Sequence, residues 1–281
     1  MSIDQFFTAI IYLAAVFLLF FVGKFSYDKL NRKFVLQKEL LQKDNFAVAI
    51  ALVGYYLGLV LALGGILIGP STYWLDDLVD ILFYGIVSIA LLNLSAYIND
   101  KIILYKFDST KEIIDDRNVG TGIIQAANHI AVGLIVYGAI SGQGGDLITA
   151  ATFWILGQIT LIVASFIYNL ITPFDVHEEI EKDNVAVGVA FAGMLIALGN
   201  VIRIGLTGDF ISWQFNLTQF GSFVVFGLIL LPVLRLTTDK LLLPGERLTH
   251  ELVHQKTPNI GAGAIEAFSY IAGSFLLGWV V

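Results

Sequence analysis

His250-Glu251-Leu252-Val253-His254 matches the pattern HExxH. On a helix that spacing sets two imidazoles one turn apart for zinc, with the glutamate between them as general base. The chain contains an internal comparison. At an offset of 139 residues stands Thr110-Lys111-Glu112-Ile113-Ile114-Asp115, where the glutamate and apolar pair recur but the histidines become Lys111 and Asp115. The repeated feature therefore reads as an amphipathic linker helix with histidines at solvated positions. Only His177 and Glu178, on another linker, offer themselves as further ligands. A membrane metalloprotease through His250, Glu251 and His254 is the third of three functional readings.

The other chemistry-bearing residues lie inside apolar runs. Glu266 is about two turns into the last run and His129 about three turns into the fourth. Their counterparts at an offset of 141 are Gln125 and Tyr270, so each of these helices carries two polar residues at i, i+4 on one face. An intramembrane ionisable group is costly and turns toward protein or water. Glu266, His129, Gln125 and Tyr270 are thus expected to form a polar heart, with Glu266 facing His129 as a proton or cation site. The plainer role is interhelical hydrogen bonding, and Gln158 and Asn93 read the same way.

Stepping outward, the elements that hold these groups are membrane spans. The 281 residues are 57% hydrophobic and 14% charged, with no cysteine and a formal net charge of −7. Soluble domains carry about 25% charged residues, so a soluble enzyme, a disulfide scaffold and a disordered chain are excluded. Thiolate zinc sites and iron–sulfur clusters are excluded with the cysteines. Eight apolar runs are long enough to cross a bilayer as helices: Phe6–Val22, Asn45–Ile68, Leu78–Ile98, Val119–Ile140, Leu147–Ile171, Val185–Leu206, Leu217–Leu236 and Ile260–Val280. Met1–Gln5 has no positive charge and holds Asp4, so the first run is not read as a signal peptide.

Fifteen of the 16 basic residues fall after odd-numbered runs, in a count that places Arg235 after the seventh; Arg203 alone falls on the other side. The positive-inside rule makes those linkers cytoplasmic and puts both termini outside. Arg203 is expected to pair with nearby Asp209 or to snorkel. Asp76, Asp77 and Asp80 make the outer face before the third run negative. Lys24–Lys43 interleaves six basic residues with Phe25, Leu30, Phe34, Leu40 and Leu41, as an interfacial helix or a prolonged first helix. The linker from Asp175 to Asp183 is acidic by contrast.

Each even-numbered run opens with one phrase: Asn45-Phe-Ala47-Val-Ala49, Asn118-Val-Gly120-Thr-Gly122, Asn184-Val-Ala186-Val-Gly188 and Asn259-Ile-Gly261-Ala-Gly263. A glutamate and an apolar residue precede each, at Glu39, Glu112, Glu179 and Glu251. The asparagines suit helix N-caps and are expected at a cytoplasmic entrance. Small residues follow at helical spacing, including Ala47/Ala51, Gly54/Gly58, Gly122/Ala126, Gly193/Ala197 and Gly263/Ala267. Such stripes let backbones approach where lipid gives no hydrophobic drive, so the even helices form the inner set, with Gly54, Gly58, Gly120, Gly122, Gly193, Gly261 and Gly263 as packing residues.

A two-fold relation is superimposed: Asn45 to Asn184 and Asp100 to Asp239 are both 139 residues apart. Each half has four spans, so both enter from the same side and the pseudo-axis runs along the membrane normal. The expected fold is an all-α polytopic membrane protein, eight transmembrane helices in two parallel four-helix repeats, 1–143 and 144–281.

The stretches Asp44-Asn45 through Asp100-Lys101 and Asp183-Asn184 through Asp239-Lys240 resemble the bacterial YjfL-like integral-membrane family, a family of unknown function (number 350) met as tandem repeats. Glu112-Ile113 followed by Asp116-Arg117-Asn118-Val119-Gly120 is similar to its linker motif. The resemblance implies a multi-pass protein of the bacterial inner membrane and hints at stress-response or polyamine-related partners. It carries over no catalytic residue.

Gly142-Gln-Gly144-Gly145 has no preceding strand and is no dinucleotide fingerprint; no P-loop, nucleophile elbow or nucleic-acid surface appears. No cofactor is expected. The partners are the lipid bilayer, a second copy in a homo-oligomer, and soluble proteins at the linkers. The leading reading is a channel, transporter or sensor for a small ion or cationic solute. The runner-up is a non-transporting scaffold of an envelope-stress complex.

Overall fold

The computed structural model describes residues 3–68 and 73–281; Met1 and Ser2 of the Met1–Gln5 segment lie outside the described residues. Among the described residues eight helices are long and apolar enough to cross a membrane. They are α1 (Ile3–Leu30), α3 (Phe46–Gly64), α4 (Trp74–Ile102), α6 (Val119–Ile140), α7 (Leu147–Ile171), α9 (Val185–Leu206), α10 (Trp213–Thr237) and α11 (Ile260–Val280). Three short helices, α2 (Leu36–Leu41), α5 (Ser109–Ile114) and α8 (Val176–Glu181), fill the first three linkers. The fourth linker replaces such a helix with two π-helical turns, Thr238–Leu242 and His250–His254. The linkers share one end of the bundle, called here the linker end. The first helix does not stop at Val22 but continues through Lys24 and Lys29 to Leu30.

The even spans α3, α6, α9 and α11 stand in a row, each packed most extensively on the next. The odd spans brace it from outside, α1 against α3 and α4, α4 and α7 against α6, and α10 against α9 and α11. A β-carbon on Gly54 would overlap the Ala126 backbone, one on Gly199 would fall 2.6 Å from Ala131 Cα, and one on Gly193 would overlap Ala267. Contacts this close maximise dispersion between helices that lipid does not push together.

Counting from each capping asparagine shows that one joint is used three times. The faces Ala126/Gly133, Ala192/Gly199 and Ala267/Ser274 receive the preceding helix, eight and fifteen residues after the cap. On α3 those places hold Val53 and Val60, 53% and 55% exposed. The opposite face, nine residues after the cap, carries Gly54, Ala127 and Gly193, whereas α11 carries Phe268, 64% exposed. Both ends of the row are finished with bulk. Gly261, expected to pack, is exposed, and a β-carbon there would meet only Asn259 Oδ1 of its own cap.

Candidate functional site

Glu266 lies fully buried in the second half and forms an ion pair with Arg235 Nη1 through its Oε1. Tyr270 and Tyr168 donate their hydroxyls to the same oxygen at 3.0 and 3.4 Å. The guanidinium lies 6.0 Å from the Tyr168 ring centre and 5.9 Å from that of Phe174. Burial raises the cost of each charge, and pairing with surrounding hydroxyls and π-faces offsets it. Arg235, counted with a linker in the charge tally although the seventh run Leu217–Leu236 contains it, is thus a residue of α10 with 11% of its side chain exposed. Its signal was its position one turn before Asp239-Lys240, inside the hydrophobic period.

The first half builds the same place differently. Tyr27, Ala96, Gln125 and His129 occupy the positions of Tyr168, Arg235, Glu266 and Tyr270 in the repeat. The ring geometry matches, with Tyr27 and His129 6.2 Å apart and edge-on, like Tyr168 and Tyr270 at 6.2 Å. All four first-half residues line a cavity of about 560 Å³ near the linker end. Asn99, Asp100 and Asn128 line it too. Asn99 donates to Asn128 Oδ1 at 2.8 Å, and Gln125 donates to Asp100 Oδ1 at 3.5 Å. Asn99 Oδ1 and His129 Nδ1 are buried with no hydrogen-bond partner among the described residues.

Glu266 and His129 therefore do not face each other. Helix α9 stands between α6 and α11, and each residue serves the polar site of its own half. The expectation of one shared heart is corrected to two sites, one closed by an ion pair and one open as a cavity. Arg203 likewise does not pair with Asp209. It donates to Asn200 Oδ1 at 3.0 Å and stacks over Tyr137, while Asp209 accepts from the Gln143 amide.

The asparagines cap rather than line an entrance. Asn45, Asn118, Asn184 and Asn259 accept from the backbone amides of Val48, Thr121, Val187 and Ala262. Each donates its amide to the repeat's glutamate: Glu39, Glu112, Glu179 and Glu251. The first three also reach into the next linker, to the carbonyls of Ile113, Ile180 and Leu252 at 2.8, 2.7 and 2.9 Å. Each of the first three units is thereby stapled to its successor, with the asparagine's side-chain valences used internally. Three of these asparagines follow a left-handed residue, Asp44, Arg117 and Asp183, which turns the chain from linker into helix.

Glu251 of the HExxH segment plays this staple role and also accepts from Gln255. Its histidines sit on a π-helical turn, and among the described residues no group of three or more His, Asp or Glu is poised to hold a metal. His177 is elsewhere, on α8, donating Nε2–H to the Ile103 carbonyl at 2.6 Å, and burial lowers its pKa. Asp175 is held below the usual carboxylate range by the ion pair from Lys106.

At the opposite end a second cavity, about 530 Å³, is lined by Asp77, Asp80 and Asp146 with Tyr12, Tyr84 and Gln143. Tyr12 donates to Asp77. Residue 138 of α6 lines this cavity and residue 129 lines the other, so roughly 13 Å of helix separates them.

Two parallel copies of a four-span unit, joined in one row of glycine-rich helices, define a tandem-duplicated multi-pass membrane protein. The chain belongs to the DUF350 family, described as a Domain of Unknown Function, whose profile matches residues 1–140 and again 144–281. It is similar to the UPF0719 transmembrane protein of Aquifex aeolicus (strain VF5), 24% identical over 271 residues covering 94% of this chain and 97% of the relative. It is also similar to the UPF0719 transmembrane protein YshE of Bacillus subtilis (strain 168), 26% identical over 137 residues, 48% of this chain and 99% of the relative. No solved structure matches.

Proposed function

We propose that the chain is a transporter of the bacterial inner membrane that carries a small cationic solute, with its linkers in the cytoplasm and both termini outside. The observation that carries this reading is the pair of cavities at the two ends of α6. The one at the linker end offers unpartnered acceptors, and the other carries three carboxylates. A negative vestibule concentrates cations at its mouth. At the α4–α7 contact Trp154 donates to Ser95, and one turn further along α7 both amide atoms of buried Gln158 have no partner among the described residues. Unsatisfied polar groups at membrane depth are costly and mark solute pathways. The orientation follows from the basic residues that crowd the linker end even without Arg235.

Purified protein in liposomes with a methylammonium gradient tests the reading. The expected result is saturable uptake above protein-free liposomes, reduced by His129→Phe. Uptake equal to that of protein-free liposomes removes it.

A further inference from the structure

The two halves differ at one place in a way that specifies a ligand. In the second half the chain supplies its own planar cation, Arg235, lying over the Tyr168 ring against Glu266 and Tyr270. In the first half Tyr27 offers the same ring, but Ala96 ends at its β-carbon and the volume remains open. From this difference we infer that the Ala96 cavity binds a guanidinium or primary ammonium cation from solution, seated where Arg235 sits in the other half. This deepens, and rests on, the cationic-solute reading above.

Hydrogen bonding points the same way. Asn99 is fully buried and His129 is 6% exposed, and Asn99 Oδ1 and His129 Nδ1 lack partners while lining the cavity. Asn99 Oδ1 accepts only, and a multi-N–H cation supplies the donor that satisfies it. Asp100 adds a carboxylate, its Oδ1 already receiving Ser109 and Gln125. Lys33 and Lys101 also line the opening, and Lys101 Nζ is 3.8 Å from Asp100 with its side chain 58% exposed. An exposed ammonium is free to swing aside as a desolvated cation enters. Arg with Glu in one half and Ala with Gln in the other leave no net charge at these two matched positions in either half.

Calorimetric titration of the full-length protein in detergent tests this, with methylguanidinium as ligand and urea and tetramethylammonium as controls. Urea keeps the planar donors without charge, and tetramethylammonium keeps the charge without donors. The expected result is saturable binding of one methylguanidinium per chain, about tenfold or more tighter than either control. The double variant A96R/Q125E rebuilds the second half's ion pair in the first and is expected to lose binding while remaining helical and monodisperse. If it fails to fold, Ala96→Leu fills the cavity without charge and must also abolish binding. The reciprocal R235A/E266Q is expected to gain a second equivalent. Absence of saturable binding, equal binding of urea, or binding undisturbed in folded A96R/Q125E or Ala96→Leu overturns the inference. Binding without liposome uptake overturns transport and leaves the site standing. Uptake undiminished in Ala96→Leu overturns the site and leaves transport standing.

Discussion

Gly58 and Gly133 meet backbone to backbone across the α3–α6 seam, so closely that a β-carbon on Gly133 would land on the Gly58 carbonyl. Gly133→Val should force the two helices apart and cost about 3 kcal/mol or more, since a packed backbone has no flexible side chain to yield. Gly221 on α10 has nothing within 4 Å of its added β-carbon, and Gly221→Ala should be neutral or slightly stabilising. Thermal unfolding of both variants in detergent separates the cases.

The staples predict a graded series. Asn118→Ala removes a cap, a bond to buried Glu112 and the link to Ile180, and should destabilise by about 2–3 kcal/mol. Asn259→Ala loses the cap and the bond to Glu251 but no bond of the kind Asn118 makes to Ile180, and should cost about 1 kcal/mol. Equal losses in chemical denaturation would refute the cross-unit link.

The buried ion pair predicts strong non-additivity. Arg235→Ala alone strands the Glu266 carboxylate in a fully buried position and should cost about 3–5 kcal/mol. Combining it with Glu266→Gln removes the stranded charge and should recover much of that loss. A double-mutant cycle by unfolding in detergent reads the coupling directly.

His177 gives the linker end a pH dependence. Burial holds its folded-state pKa below the usual histidine value, so between the two values the unfolded state binds the extra proton. Stability is therefore complete above pH about 6.5 and declines as pH falls below it. Amide exchange in α8 should accelerate between pH 6.5 and pH 5, and His177→Gln should flatten that response.

Much of this architecture was legible because lipid forces simple rules on sequence. Eight runs of sufficient length, a recurring Asn-x-small-x-small phrase and two nearly equal offsets fixed the spans, the inner row and the parallel duplication. The polar sites were less legible. Counting charges along a line tallied Arg235 with a linker, although the run Leu217–Leu236 already held it and α10 turns it inward. Pairing Glu266 with His129 assumed that repeat-related helices touch, whereas a row keeps α6 and α11 apart by the width of α9. The staple bonds from Asn45, Asn118 and Asn184 join residues more than sixty positions apart and left no local pattern beyond the cap itself.

A joint that repeats in one direction has no built-in stopping point, because each unit presents to newcomers the face its predecessor presented to it. Here three side chains close the two outer faces. Val53 and Val60 at the front and Phe268 at the back stand exposed where the inner joints carry small residues, so neither end presents the socket that a further helix of this kind needs. Ordinary aliphatic and aromatic bulk thus distinguishes the two outer faces of the row from the three joints inside it.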